Sequence, residues 1–201
     1  MLTIGITGGT GCGKTALLRC VEARGGVGID CDALYYDLLR TDRALRAELT
    51  ERFGAVFLPD GSLDRKRLGA AVFSDRAQLK ALNRIVFAHV RSAVASIRAR
   101  EENAGAALLA IDAINLFQSR LADLCDTTVG VLAPEEVRLR RIMLRDGIER
   151  EYALLRIRAQ EPDSFYTARC AHILQNGEIS PKEFQIQANE LLEILIKENA
   201  T

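Results

Sequence analysis

Residues 8 to 15 read Gly8-Gly9-Thr10-Gly11-Cys12-Gly13-Lys14-Thr15, which sets glycines, a lysine and a hydroxyl side chain at the spacing G-x-x-x-x-G-K-[ST]. The chemistry these types can do together is polyphosphate binding. Glycines let backbone N–H groups curl around phosphate oxygens where a Cβ would obstruct the approach. The Lys14 ammonium would reach the β- and γ-phosphates, and the Thr15 hydroxyl would ligate Mg²⁺. Placement supports the reading: an apolar run, Leu2 to Ile6, delivers the chain, and a helical pattern from Ala16 receives it. A helix N-terminus is where an anion is held. The segment therefore reads as a site for a nucleoside triphosphate.

Further groups could complete the chemistry. The second apolar run ends in Asp30-Cys31-Asp32. In an open parallel sheet ligands gather beyond the carboxyl ends of the strands. On an extended chain residues i and i+2 point the same way, so both carboxylates would face the loop's cleft. One could take a proton from an attacking hydroxyl, the other could contact Mg²⁺ or water, or either could cap the helix expected from Ala33. The run Ala107-Leu108-Leu109-Ala110-Ile111 is followed by Asp112, an arrangement that can hold Mg²⁺ directly or through water. Residues 135 to 160 are rich in arginine and turn at Asp146-Gly147. Arg141 and Arg145, four apart on one helical face, are placed to close over phosphates and neutralise charge in the transition state. Others in the segment fit a solvated face with pairs such as Glu136–Arg140. His89 and His172 lack ligand-spaced partners and read as structural.

The elements that must position these groups follow from periodicity. Five apolar runs, Leu2–Ile6, Val27–Ile29, Ala107–Ile111, Thr128–Leu132 and Ala171–Leu174, alternate with helical segments, as in a parallel sheet covered on both faces. Between the second and third runs lie helical stretches at 43–53, 65–73 and 76–101, too long for a simple crossover and suited to a substrate-facing insertion. Pro59-Asp60-Gly61-Ser62 marks a turn, with Asp64 as cap of the next helix. Ser180-Pro181 opens a last helix reaching about Glu198.

Composition narrows the class. The 201 residues carry 27 basic and 27 acidic side chains, so no global field favours nucleic acid or membrane. Five scattered cysteines without a C-x-x-C pair argue against a disulfide framework or zinc site and for a reducing cytoplasm. No apolar run approaches a membrane span, and the first strand begins without a charged leader. A cytoplasmic monomer acting on small molecules is the expectation.

In the order and spacing of its motifs the chain resembles the dephospho-coenzyme A kinase family. The resemblance runs from Leu2 to about Leu195, through Ile6 to Thr15, Ile29 to Asp32, Phe53-Gly54, Asp60 to Arg65, Leu82-Asn83-Arg84-Ile85, Arg141 to Asp146, Ala159-Gln160 and Asn176-Gly177. It implies a three-layer α/β P-loop NTPase fold with a five-stranded parallel sheet: core 1–33, 105–134 and 168–201, a helical acceptor-binding insertion at about 34–104, and a lid at about 135–167. It implies transfer of the ATP γ-phosphate to the ribose 3′-hydroxyl of dephospho-CoA. Gly11, Cys12, Gly13, Lys14, Thr15 and Ala16 would form the nucleotide loop, Asp32 the base, Arg141 and Arg145 the lid arginines. The chain departs from the family's His-Pro at Phe87-Ala88, from its Pro-Leu-Leu-Phe-Glu at Ile114 to Gln118, and from an arginine at Tyr36. These departures fall in the acceptor-binding part and keep two alternatives in view, another nucleoside or nucleotide acceptor and a nucleotide-binding protein without catalysis.

Overall fold

The structure, a computed structural model, describes residues 1–73 and 75–199. Its described residues fall into two compact units, one of residues 1–30 and 100–199, the other of residues 31–73 and 75–99.

The first unit is built on five parallel strands, β1 (Leu2–Thr7), β2 (Val27–Asp30), β3 (Leu108–Asp112), β4 (Thr127–Leu132) and β5 (His172–Gln175), in the order β2-β3-β1-β4-β5. Every residue of β1 and β3 is buried, which explains why both read as continuous apolar runs rather than alternating ones. Leu2, Ile4 and Ile6 turn to a core shared with Leu17 and Val21 of α1 (Lys14–Ala23) and with Phe184, Ala188 and Leu192 of α9 (Pro181–Asn199). On the opposite face Gly5 lies under Leu116 and Cys125, so a β-carbon there would sit 2.8 Å from the Leu116 side chain. Helix, sheet and covering segment make a three-layer α/β fold. A short 3-10 helix at Leu121–Leu124 and α8 (Asp163–Thr167) belong to that covering layer or its flank, and both are too short to show a period in the sequence.

Two helices of this unit form a hairpin, α6 (Glu135–Asp146) and α7 (Arg150–Arg158). They bury a small core of their own from Leu139, Ile142, Ala153 and Ile157. Gly147 ends α6 in the left-handed region at φ 63°, so the Asp146-Gly147 turn falls where the sequence placed it. The pairing of Glu136 differs from expectation. Its carboxylate takes Arg150 of α7 at 2.7 and 3.1 Å, while Arg140 reaches Glu178 in the segment after β5, so the charges tie α6 to α7 and to that segment instead of pairing along one helix.

The second unit comprises α2 (Cys31–Thr41), α3 (Arg43–Phe53), α4 (Arg65–Phe73) and most of α5 (Arg76–Asn103). Leu39, Leu45, Leu49, Val56, Leu68, Val72 and Ile85 form its core. Local chemistry sets the helix starts: Asp42 accepts from the N–H groups of Ala44 and Leu45, and Asp64 from that of Arg67, the cap read from sequence. His89 of α5 bridges to α3 through Asp42 at 2.7 Å and Glu48 at 3.2 Å, a structural role for that histidine. Arg46 holds the Asp60-Gly61 turn by donating to the Gly61 carbonyl and lies 4.0 Å over the Phe57 ring.

One expectation near the boundary is corrected. The segment Asp30-Cys31-Asp32 is not extended throughout, because β2 stops at Asp30 and α2 starts at Cys31. Cys31 is buried at the head of the helix, and Asp30 stands in the position before it, where an N-cap belongs. Asp32 is an exposed residue of the first turn of α2. The two carboxylates therefore lose the same-side relation that a strand would give them.

Candidate active site

The loop between β1 and α1 is shaped by what surrounds it. Gly13 stands before α1 with φ 101°, a conformation a side chain would resist, and no side chain caps the helix. Among the described residues, the backbone N–H groups of Gly11, Gly13, Lys14 and Thr15 have no protein acceptor. Four such donors at a helix N-terminus make a site for an anion. The Lys14 ammonium meanwhile rests on the Gly9 carbonyl at 3.4 Å.

The carbonyls of the loop point elsewhere. Thr10 O accepts from Arg138 Nε at 3.0 Å, Gly11 O from Arg141 at 3.3 Å, and Cys12 O from Asn176 Nδ2 at 2.8 Å. Thr10 N–H donates to Gln160 Oε1 at 2.8 Å, and that oxygen also accepts from Arg138 at 3.0 Å. In a trans peptide the carbonyl and the N–H lie on opposite sides. Holding the carbonyls outward turns the Gly11 and Gly13 N–H groups inward. The same geometry sends the Gly9 carbonyl inward, where it meets Lys14 and the Cys12 N–H at 3.3 Å.

Of the residues singled out by sequence, the structure assembles most in the first unit. Gly11 to Ala16 form the loop and the start of α1. Thr15 is exposed in the first turn of α1. Asp112 is buried at the carboxyl end of β3, in register with Ile6 of β1 and Asp30 of β2. Thr7 anchors the chain after it by donating to the Ile114 carbonyl at 3.3 Å. Arg141 donates to Gly11 O, to Asn176 O and Oδ1, and to Gly177 O. Arg145 stands at the hairpin tip and pairs with Asp146, which Arg156 also contacts. The Arg145 hydrogen bond foremost, then that of Arg156 and the charges of both, draws the Asp146 carboxyl down to about 2 against the opposing effect of desolvation. Asp32 belongs to the second unit.

Cys12 is wholly buried, and burial raises its thiol above the ordinary value despite the nearby charges of Arg138 and Lys14. It contributes backbone to the loop and stays a neutral thiol. Sequence reasoning left Arg138, Gln160 and Asn176 without roles. The signal for Arg138 is its position: it falls between Val137 and Leu139 on the buried side of α6, where a solvated arginine has no place.

A phosphate loop at the head of a central parallel strand, flanked by an arginine-bearing helical hairpin, defines a P-loop kinase. The fold is shared with a shikimate kinase from Acinetobacter baumannii, at a TM-score of 0.56 and 16% identity over 100% of this chain and 96% of that one. The family model described as Dephospho-CoA kinase matches residues 2–181. A Dephospho-CoA kinase from Anaeromyxobacter dehalogenans is 36% identical over 193 residues, 96% of this chain and 91% of its own. A crystal structure of a Thermus thermophilus protein superposes with a TM-score of 0.81 at 33% identity, covering 96% of each chain. The chain belongs to the dephospho-CoA kinase family, and with it to the phosphotransferases.

Proposed function

We propose that this chain transfers the γ-phosphate of ATP to the ribose 3′-hydroxyl of dephospho-CoA, forming coenzyme A and ADP. The observation that carries the reading is the set of unpaired N–H groups at Gly11, Gly13, Lys14 and Thr15, in a chain of this family. They match the oxygens of a nucleotide's phosphates.

In this reading the acceptor oxygen attacks the γ-phosphorus as its bond to the ADP oxygen breaks. Lys14 leaves the Gly9 carbonyl for the β- and γ-phosphates and stabilises the charge that gathers on them. Asp32 takes the proton of the 3′-hydroxyl. Its support is its match to the family's acid-x-acid pattern and its exposure in the first turn of α2. Arg145 would exchange Asp146 for phosphate oxygens, and Arg141, already fixed on Gly11 O, would hold the nucleotide end of the hairpin.

Thr15 and Asp112 offer hard oxygen donors suited to Mg²⁺. No group of three or more His, Cys, Asp or Glu among the described residues could hold a metal alone, which suits a cation that keeps its waters and is bound largely through substrate phosphates. When bound, Mg²⁺ supplies neutralising charge on those phosphates. The same reading makes the enzyme a cytoplasmic monomer serving a small-molecule acceptor. Its equal numbers of acidic and basic residues offer no general attraction for polyanions, and no helix among the described residues is long and apolar enough to cross a membrane.

An acceptor competition tests the assignment. The purified protein receives Mg-ATP with equimolar dephospho-CoA, adenosine, AMP and shikimate, and consumption of each is followed by chromatography. Selective loss of dephospho-CoA supports the proposal; preferential loss of another acceptor replaces it.

A further inference from the structure

We propose that Arg138 and Gln160 act as a pair of positioning residues for the phosphate loop, holding two successive peptide planes so that the loop is already shaped for polyphosphate before it binds. The inference rests on the nucleotide-binding reading of the loop but not on the identity of the acceptor.

The geometry is specific to Thr10. Its N–H donates to Gln160 Oε1 at 2.8 Å, and its carbonyl accepts from Arg138 Nε at 3.0 Å. The two side chains are joined to each other at 3.0 Å, closing a ring around that residue. One of them comes from the first turns of α6, the other from just beyond α7, so the clamp grips the loop with both ends of the hairpin. Arg138 is 5% exposed, and its nearest carboxylate, Asp163, is 3.8 Å away, so neutral acceptors do much of the work of satisfying a buried guanidinium. Such a group is costly to bury unless its donors are used. It is used here on the loop.

The consequence for binding follows plane by plane. With the Thr10 carbonyl held by Arg138, the Gly11 N–H on the far side of the same peptide faces inward without a protein acceptor. With the Thr10 N–H held by Gln160, the Gly9 carbonyl faces inward and keeps Lys14 at the loop. Gly9 itself is needed for the approach, since a β-carbon there would stand 2.2 Å from the Arg138 guanidinium. Release of either hydrogen bond frees a plane to rotate, and donors then have to be ordered at the moment the phosphates arrive, which weakens affinity.

The test is direct titration of Mg-ATP and of inorganic tripolyphosphate into wild type, Arg138→Met, Gln160→Met and the double variant. Initial rates with Mg-ATP and dephospho-CoA and thermal melts are measured alongside. We expect each single variant to weaken both ligands about tenfold, and the double to be little worse than the weaker single, as for residues acting through one unit. KM for ATP should rise by a similar factor, with KM for dephospho-CoA unchanged within about twofold. Affinity for ATP and tripolyphosphate that stays at the wild-type level in Gln160→Met overturns the proposal. So does an equal rise in both KM values, which marks a general structural defect. Gln160 is only partly buried, so that variant decides the matter even where Arg138→Met fails to fold. The titrations read the loop whatever the acceptor, so a wild-type protein that binds ATP and leaves dephospho-CoA unchanged overturns the proposed function and not this inference.

Discussion

Asn176 donates its side-chain amide to the Cys12 carbonyl at 2.8 Å, joining the end of β5 to the phosphate loop across 164 positions of sequence. Its side-chain oxygen accepts from Arg141 at 3.1 Å, so one buried residue connects loop, sheet and hairpin. With Arg138 and Arg141 it makes an outer belt that occupies the carbonyls of Thr10, Gly11 and Cys12. Gln160 takes the Thr10 N–H, and the N–H groups of Gly11, Gly13, Lys14 and Thr15 are left to the ligand.

Asn176→Ala removes the donor to Cys12 O and one acceptor of Arg141. Leaving buried polar groups without partners costs about 1–3 kcal/mol. Urea unfolding should show a loss of that size, and ATP affinity should fall because the Gly13 N–H is no longer held inward. Unchanged stability and affinity would remove Asn176 from the belt.

Gly13→Ala combines two faults. The residue sits at φ 101°, and a β-carbon would stand 2.1 Å from Asn176 Nδ2. The loop must change shape, so kcat/KM for ATP should fall about 10²-fold or more, as expected when transition-state donors are displaced. A variant with near-normal kcat/KM would show that the loop tolerates another conformation.

The belt was only partly legible in the sequence. The phosphate loop announces itself because its glycines and Lys14-Thr15 are contiguous, and β1 and β3 because burial on both faces makes them continuous apolar runs. Arg138, Gln160 and Asn176 come from three separate segments and meet only when the sheet and hairpin are formed. A pairing of side chains through backbone carbonyls leaves no spacing to read. The start of α2 lies two residues before the expected Ala33 because strand and helix abut: Asp30 ends β2 and also stands directly before the helix, leaving no loop residues to mark the change.

His89 supplies a pH dependence. Burial opposes its charge, but the hydrogen bonds it donates to Asp42 and Glu48, together with their charges, outweigh that and raise its pKa above the ordinary 6.5. A group whose folded pKa is raised stabilises the fold fully below its unfolded value and loses that contribution as pH rises through the folded value. The Tm advantage of wild type over His89→Gln should therefore be largest near pH 5.5 and shrink as pH climbs from about 6.5 through the raised value. An advantage constant from pH 5.5 to 9 would show that the α3–α5 bridge works without a charged imidazole.

Lys14→Ala and Asp32→Asn separate charge stabilisation from proton removal. Lys14→Ala should lower kcat about 10²-fold or more and weaken ATP binding. Asp32→Asn should leave the ATP Kd unchanged and lower turnover about 10²-fold, within the usual range for general-base loss. Stopped assays with titration calorimetry on both variants distinguish the roles; wild-type turnover in Asp32→Asn would leave it as a helix-end residue of α2.

The central claim is transfer to one hydroxyl. Purified protein, Mg-ATP and dephospho-CoA should yield ADP and a product heavier by one phosphate, with ³¹P coupling that places the new ester on the ribose 3′-carbon, and Lys14→Ala should give almost none of it. A phosphorylated product carrying the group elsewhere, or ADP formation with dephospho-CoA left intact, would contradict the account.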